Sequence, residues 1–287
     1  MRLLVFLAVW KRPEITEICF VGINRLIKNS RLPIEAFAVI SEESMIPLCD
    51  KYNIRWTFYK NDPLGEKKNH ALNEAMKLDW DYLLEIGSDD LVKDELVELY
   101  APYFGKWDLF GTKDAVIINS ADGMCRRLNS DTTYGLGRCV SRKALECAYG
   151  LDVLALDHIM SIGRTVAKGD KGFFKVEQAK ELESLGRVKI LGEPRYRLWK
   201  DEINKGLDNN SDFFFMKNGI GHRAVKTSKP LCIDIKGDDN IWKFSSKLGT
   251  PYDLEKALEG LSQEEQSRII ALWKQNKEPI EYANHLQ

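Results

Sequence analysis

Over residues 1–120 of this 287-residue chain, short apolar runs alternate with amphipathic stretches, a rhythm that leaves few folds open. Leu3–Val9, Ile34–Ile40, Ile54–Tyr59, Asp81–Ile86 and Ala115–Ile118 read as strands. Between the first two, Ile15, Ile18, Cys19, Gly22, Ile23, Leu26 and Ile27 recur three or four residues apart. They share one face of a helix that Pro13 can open. Further helices are predicted at Met45–Tyr52 and at His70–Leu78, the latter with Ala71, Leu72, Ala75 and Met76 inward. Strands joined through helices need crossover connections, so the class is α/β with a mainly parallel sheet covered on both faces. Beyond residue 120 the pattern is less regular. Helices are predicted at Arg142–Ala148 and Leu156–Ala167, and one or two polar helices over Leu254–Gln275, with Ser262 as an N-cap before Glu264 and Glu265. No repeat or linker marks a boundary, and the expected division is 1–120, 121–250 and 251–287.

Composition narrows the function. Lys+Arg number 42 and Asp+Glu 43, a net charge of −1, which argues against a chain built wholly to coat nucleic acid or an anionic membrane. Six cysteines lie scattered at 19, 49, 125, 139, 147 and 232 with no C-x-x-C pair, as expected of reduced core residues in the cytoplasm. Leu3–Trp10 is far too short to span a bilayer, and Lys11-Arg12-Pro13 follows it in place of a small-residue cleavage site, so neither a transmembrane segment nor a signal peptide is expected.

In an open parallel sheet, ligands bind beyond the carboxyl ends of the strands. The segments there are Trp10-Lys11-Arg12-Pro13, Ser41-Glu42-Glu43-Ser44, Asn61-Asp62-Pro63-Leu64-Gly65 and Gly87-Ser88-Asp89-Asp90. Aromatic, basic and acidic residues mixed in this way suit a nucleotide diphosphate with a divalent cation. Asp89 and Asp90 are costly neighbours unless a cation such as Mg2+ or Mn2+ lies between them; otherwise one of them caps a helix starting near Val92. Lys67 and Lys68 near a helix start meet the unfavourable end of its dipole, which calls for a bound anion or for full solvation. Residues 187–230 carry ten basic and five acidic residues among Tyr196, Trp199 and Phe213 to Phe215, which reads as a surface for an anionic acceptor such as nucleic acid, or as a solvated basic face.

Together these segments resemble family 2 glycosyltransferases of the GT-A fold. Trp10-Lys11-Arg12-Pro13-Glu14 is similar to their tyrosine–asparagine–arginine–proline ending of the first strand. Gly65 to Ala75 is similar to their glycine/arginine–asparagine helix start, with Lys68 at the arginine and Asn69 at the asparagine. Ile86-Gly87-Ser88-Asp89-Asp90 resembles their D-x-D segment, with Gly87 where its first aspartate would stand. The resemblance spans residues 1–165 and implies a Rossmann-like GT-A sheet with a less regular C-terminal acceptor-side region; the polar helices within 251–287 read as a helical extension beyond it. It implies a nucleotide diphosphate sugar donor, contacted by Trp10, Arg12, Ser41, Glu42, Lys68, Asn69, Ser88, Asp90 and Arg138. It also implies Mn2+ or Mg2+ on Asp89, with His222 compensating for Gly87. Tyr134 to Arg142 resembles the family's acceptor-side loop, and Ala155-Leu156-Asp157-His158 its catalytic segment, with Asp157 as the base of an inverting transfer to a hydroxyl acceptor, saccharide or nucleic acid. Two rivals stand beside this reading. One is a nucleotidyltransferase, although Val9 to Glu14 lacks the glycine-rich loop such enzymes open with; the other is a non-catalytic nucleotide-sugar-binding module.

Overall fold

Apart from Ala8, every position of the first strand is buried, and only a strand covered on both faces tolerates an unbroken apolar run of that kind. The computed structural model describes residues 1–130, 133–161, 164–237, 240 and 243–275. In chain order it runs β1 (Leu3–Ala8), α1 (Pro13–Asn29), β2 (Ile34–Ile40), α2 (Ile46–Lys51), β3 (Arg55–Phe58), α3 (Leu64–Ala75) and β4 (Tyr82–Gly87). Next come β5 (Asp90–Val92), α4 (Glu95–Tyr100), β6 (Leu109–Thr112), β7 (Asp114–Asn119), β8 (Cys125–Asn129), β9 (Arg138–Ser141) and α5 (Arg142–Leu145). Then follow β10 (Tyr149–Ala155), β11 (Ile159–Ser161), β12 (Arg164–Val166), β13 (Lys171–Phe174), α6 (Val176–Ser184), β14 (Val188–Ile190) and β15 (Arg195–Tyr196). The last are α7 (Leu207–Lys217), β16 (Arg223–Val225), β17 (Cys232–Lys236), β18 (Thr250–Pro251), α8 (Leu254–Leu258) and α9 (Gln263–Gln275).

Among the described residues the main sheet has the order β16-β6-β9-β4-β1-β2-β3. It is mainly parallel: β1 runs parallel to β2 and β4, β2 to β3 and β16 to β6, while β9 runs antiparallel to β4 and β6. Side chains alternate along β1. Leu3, Val5 and Leu7 pack with Ile23 and Leu26 of α1, and Leu4 and Phe6 with Leu72 and Ala75 of α3. A second sheet, β18-β8-β7-β17-β5, places β17 between β7 and β5. α9 closes over it: Ile269 packs with Ile15 and Ile18 of α1, and Arg25 Nε donates to Glu265 Oε2 at 2.7 Å.

The expected strands and helices of the first 120 residues are present, with shifted ends. The third helix begins at Leu64, a turn and a half before His70, and the chain after Asp90 is the strand β5 before α4 starts at Glu95. Ser262 caps the C-terminal helix: its Oγ accepts from Glu265 N at 3.2 Å and its N–H donates to Glu265 Oε2 at 2.8 Å. Residues 276–287 of the expected helical extension lie outside the described residues. The helix expected at Leu156–Ala167 is instead the hairpin β11–β12, its residues 162 and 163 outside the description. Ile159 pairs with Val166, and both enter the cluster of Leu151, Val153 and Phe174, so burial against β10 and β13 overrides a weak helical spacing. All six cysteines are free thiols. Among the described residues no helix is long and apolar enough to cross a membrane.

Candidate active site

The loops that leave β1 and β4 open onto a cleft of about 600 Å³ at the carboxyl end of the sheet, whose wall includes Trp10, Arg12, Lys68, Ser88, Asp89 and Asp90. A smaller cavity of about 290 Å³ shares Asp89, Asp90, Gly135, Leu136, Asp208 and Lys236 with it. Lys11 and Arg12 both adopt left-handed backbone with φ 55°, a conformation that costs non-glycine residues about 1 kcal/mol or more each. This bend carries the Arg12 guanidinium to Asp89 Oδ2 at 3.0 Å and Ser88 Oγ at 3.2 Å.

Three carboxylates meet there. Asp89, Asp90 and Asp234 each offer an oxygen within 4.8 Å of the others. The third arrives by register: β17 lies antiparallel to β5 with Asp234 opposite Asp90, and Ile235 N donates to Asp89 O at 2.8 Å. Ile233 and Ile235 enter the apolar cluster of Leu91, Val116 and Ile118, so strand alternation sends Asp234 and Lys236 to the opposite face. Lys236 Nζ lies 2.5 Å from Asp234 Oδ2 and 3.8 Å from Asp89 Oδ2, and Asn240 Nδ2 donates to Asp89 Oδ2. Burial first, then Asp234 and Asp89, push the Asp90 carboxyl well up; burial also lifts Asp234 to about 7, against the pull of Lys236. Asp234 Oδ1 is buried with no hydrogen-bond partner among the described residues. Gly87 has no room for a side chain, because a Cβ would stand 2.6 Å from Asp90 Oδ2 and 2.8 Å from Asp89 Oδ1. Glycine there leaves space for the two carboxylates beside it, and Asp234 brings a third from across the sheet. Three hard oxygen donors and one open acceptor fit a divalent cation.

Behind the cleft a buried ion network fixes the floor. Glu85 of β4 accepts from Lys68 Nζ and, at 2.7 Å, from Arg138 Nη2; Arg138 Nη1 donates to Asp212 at 2.6 Å. Burial opposes the Glu85 charge, yet Lys68 and Arg138 outweigh it and hold the carboxyl at about 2. Lys67, fully buried, donates to Val9 O at 2.5 Å and Asn61 Oδ1 at 3.0 Å, and burial lowers its pKa to about 7.

The expected residues therefore divide. Trp10, Arg12, Lys68, Ser88, Asp89 and Asp90 share the cleft, Lys68 with its charge answered by Glu85 rather than left for an anion. The start of α3 is not an anion site. Leu64 N donates to Asn204 Oδ1 at 2.6 Å, Gly65 N to Ile203 O at 2.9 Å and Glu66 N to Asp201 O at 3.2 Å. Gly65 is required by that contact, since a Cβ would lie 2.0 Å from Lys200 O. Asn69 is fully buried and brackets the same segment, bonding Trp199 O at 2.7 Å, Asp201 Oδ1 at 2.8 Å and Leu198 N at 3.0 Å. Arg138 is likewise wholly buried, under the cleft rather than in it. Ser41 and Glu42 stay off the cleft wall. The Ser41 hydroxyl is buried with no hydrogen-bond partner among the described residues, and Glu42 Oε2 accepts from Lys11 N at 3.3 Å.

Two expectations need correction. Asp157 is exposed in the turn after β10, where it accepts from His158 N and faces Arg187 at 3.5 Å, away from both cavities; the helix that was to aim it is a hairpin. His222 is exposed between α7 and β16, and it does not join the carboxylate cluster. Parts of the 187–230 basic stretch are paired internally: Arg195 holds Asp152 and Asp201 at 2.7 and 2.6 Å, and Arg197 holds Asp152 at 2.8 Å. Sequence reading missed Asp234, Lys236 and Asp208. The Ile233-Asp234-Ile235-Lys236 alternation was the available signal for the first two.

No family model and no curated protein matches the chain. It resembles solved GT-A-type glycosyltransferases. One is mannosyl-3-phosphoglycerate synthase from Rubrobacter xylanophilus, at 14% identity and TM-score 0.36, over 53% of this chain and 57% of that one. Another is S. aureus TarS 1-349, at 12% identity and TM-score 0.38, over 96% and 71%. A third is mannosyltransferase PcManGT from Pyrobaculum calidifontis, in complex with GDP-Man and Mn2+, at 13% identity and TM-score 0.40, over 83% and 57%. The chain spans little more than half the length of the first and third. At these scores the likeness is loose, and the chemistry of the site rests on this chain's own residues.

Proposed function

We propose that this protein is a glycosyltransferase that moves a sugar from a nucleotide diphosphate sugar to a hydroxyl acceptor. One observation carries the reading: Arg12, Asp89, Asp90 and Lys236 line a cleft of about 600 Å³ at the carboxyl edge of a parallel sheet, and Asp234, on the wall of the smaller cavity that shares Asp89 and Asp90, completes a cluster of three carboxylates. Asp89, Asp90 and Asp234 would hold Mg2+ or Mn2+, which when bound neutralises charge on a departing diphosphate. Arg12 and Lys236 add positive charge on the same cleft, suited to phosphate oxygens. Trp10 offers an aromatic wall for the base.

Of the described carboxylates lining the main cleft, Asp208 alone is exposed, its Oδ1 4.0 Å from Arg138 Nη2, and it lines both cavities. It takes the place first assigned to Asp157. Asp208 accepts the proton of the acceptor hydroxyl as that oxygen bonds to the anomeric carbon, while the bond to the diphosphate oxygen breaks and its electron pair leaves with the nucleotide. A single displacement of this kind inverts the anomeric centre. The smaller cavity, which shares Asp89 and Asp208 with the cleft, is the acceptor's place.

Calorimetric titration with UDP-, GDP- and dTDP-sugars, with and without Mn2+, tests the reading. Binding of one class, strengthened by Mn2+ and followed by slow donor hydrolysis, is expected. Failure of every donor to bind in Mn2+ refutes it.

A further inference from the structure

The carboxylate cluster already holds a cation of the chain's own. Lys236 Nζ lies between Asp234 and Asp89, at 2.5 and 3.8 Å, and the side chain is 7% exposed. Arg12 also answers Asp89, but its guanidinium follows from a fixed left-handed bend of the backbone. Lys236 differs in kind. It is the last residue of β17, and its ammonium is a point charge on a flexible four-carbon stem. An ion bound by the oxygens of Asp89 and Asp234 would stand within contact range of that ammonium, and like charges at such range repel strongly. The two cannot share the seat. The second oxygen of Asp234, buried and without a hydrogen-bond partner among the described residues, gives an incoming ion one ready donor before the lysine leaves.

Building on the function proposed above, we infer that Lys236 is a tethered counter-ion: it occupies the cation seat of the donor-free protein, and a divalent ion must displace it. The displaced ammonium remains on the wall of the donor cleft, where the diphosphate is the anion that receives it. Metal and nucleotide diphosphate are thereby coupled, each tightening the other by the same factor. The ion is held weakly until the diphosphate offers the lysine a new partner. Lys236 acts as a positioning and gating residue, separate from the base and from the ion's own ligands.

The test measures Mn2+ binding without nucleotide, by the electron paramagnetic resonance signal of the free ion, on the full chain and on Lys236→Met, Lys236→Gln and Lys236→Arg. Met and Gln are expected to bind Mn2+ about tenfold tighter than the parent, and Arg to bind like it. In saturating Mn2+, the Met and Gln variants are expected to bind UDP and GDP more weakly, and the factor by which either nucleotide tightens Mn2+ falls toward one. Unchanged or weaker Mn2+ binding in both the Met and Gln variants overturns the inference. Asp89→Asn separates the two readings. If it loses Mn2+ while the lysine variants are unchanged, only the role of Lys236 falls; if it binds Mn2+ like the parent, the ion sits elsewhere and the metal reading falls with it.

Discussion

Glu85 stands between Lys68 and Arg138 beneath the cleft, and its removal is the sharpest test of how the floor is held. A carboxyl held at about 2 instead of 4.5 favours its charged form by about 3 kcal/mol, at about 1.4 kcal/mol per pKa unit. Glu85→Gln keeps the shape and removes the charge, leaving Lys68 and Arg138 to face one another without an anion between them. Arg138 retains Asp212 at 2.6 Å and Ser211 at 2.7 Å, which places the expected loss at the lower end of the roughly 3–5 kcal/mol typical of a broken buried pair. Urea unfolding at neutral pH reads it directly. The pH dependence follows from the direction of the shift. A depressed carboxyl contributes fully above its unfolded value of 4.5 and loses that contribution as pH falls through about 2. The gap between parent and variant is therefore about 3 kcal/mol at neutral pH and roughly halved near pH 3. A gap below about 1 kcal/mol at neutral pH, or one that does not shrink with acid, refutes the account of Glu85 as the anion that holds both cations.

Lys67 has the opposite sign. Its charged form is disfavoured by burial, so the unfolded chain binds more protons between about 7 and 10.5 and the parent gains stability with rising pH in that window. Relative to Lys67→Met the parent should gain about 2 kcal/mol from pH 7 to pH 9, by urea unfolding; a flat difference contradicts a strained ammonium. Asn69→Ala should cost about 2–3 kcal/mol by the same assay, because the Leu198 and Trp199 backbone groups it satisfies are buried; a loss under about 0.5 kcal/mol would show that they find other partners. Asp208→Asn should keep donor affinity and lower transfer about 10²- to 10⁴-fold, while Asp157→Asn transfers like the parent; the reverse result would return the base to Asp157. Asp234→Asn should weaken Mn2+ binding about tenfold or more, and unchanged affinity would remove it from the ion's ligands.

Much of the fold was legible because its signals are local. The unbroken apolar run of Leu3–Ala8 and the three- and four-residue spacing of α1 need no distant partner to be read, and together they dictate strands buried on both faces. The rule that ligands gather at the carboxyl ends of such strands groups Trp10, Arg12, Ser41, Glu42, Ser88, Asp89 and Asp90; all but Ser41 and Glu42 line one cleft. Where local signals were weak the reading failed. Ile159 and Val166 fit a helix or a strand equally well, and only the apolar cluster of β10 and β13 selects the hairpin that takes Asp157 out of the site.

What the amino-acid order determined alone is thus the class of fold and the edge of the sheet at which chemistry is placed, because periodicity and strand ends are properties of a short stretch of chain. The tertiary structure decided which charges meet. Asp234 reaches Asp90 through strand register, Lys68 turns to Glu85 instead of to solvent, and Lys236 comes to rest between Asp89 and Asp234. Asp234 and Asp90, Lys68 and Glu85, and Lys236 and Asp89 each come from separate stretches of the chain, and the burial that makes their charges matter to one another exists only once the sheets have closed around them.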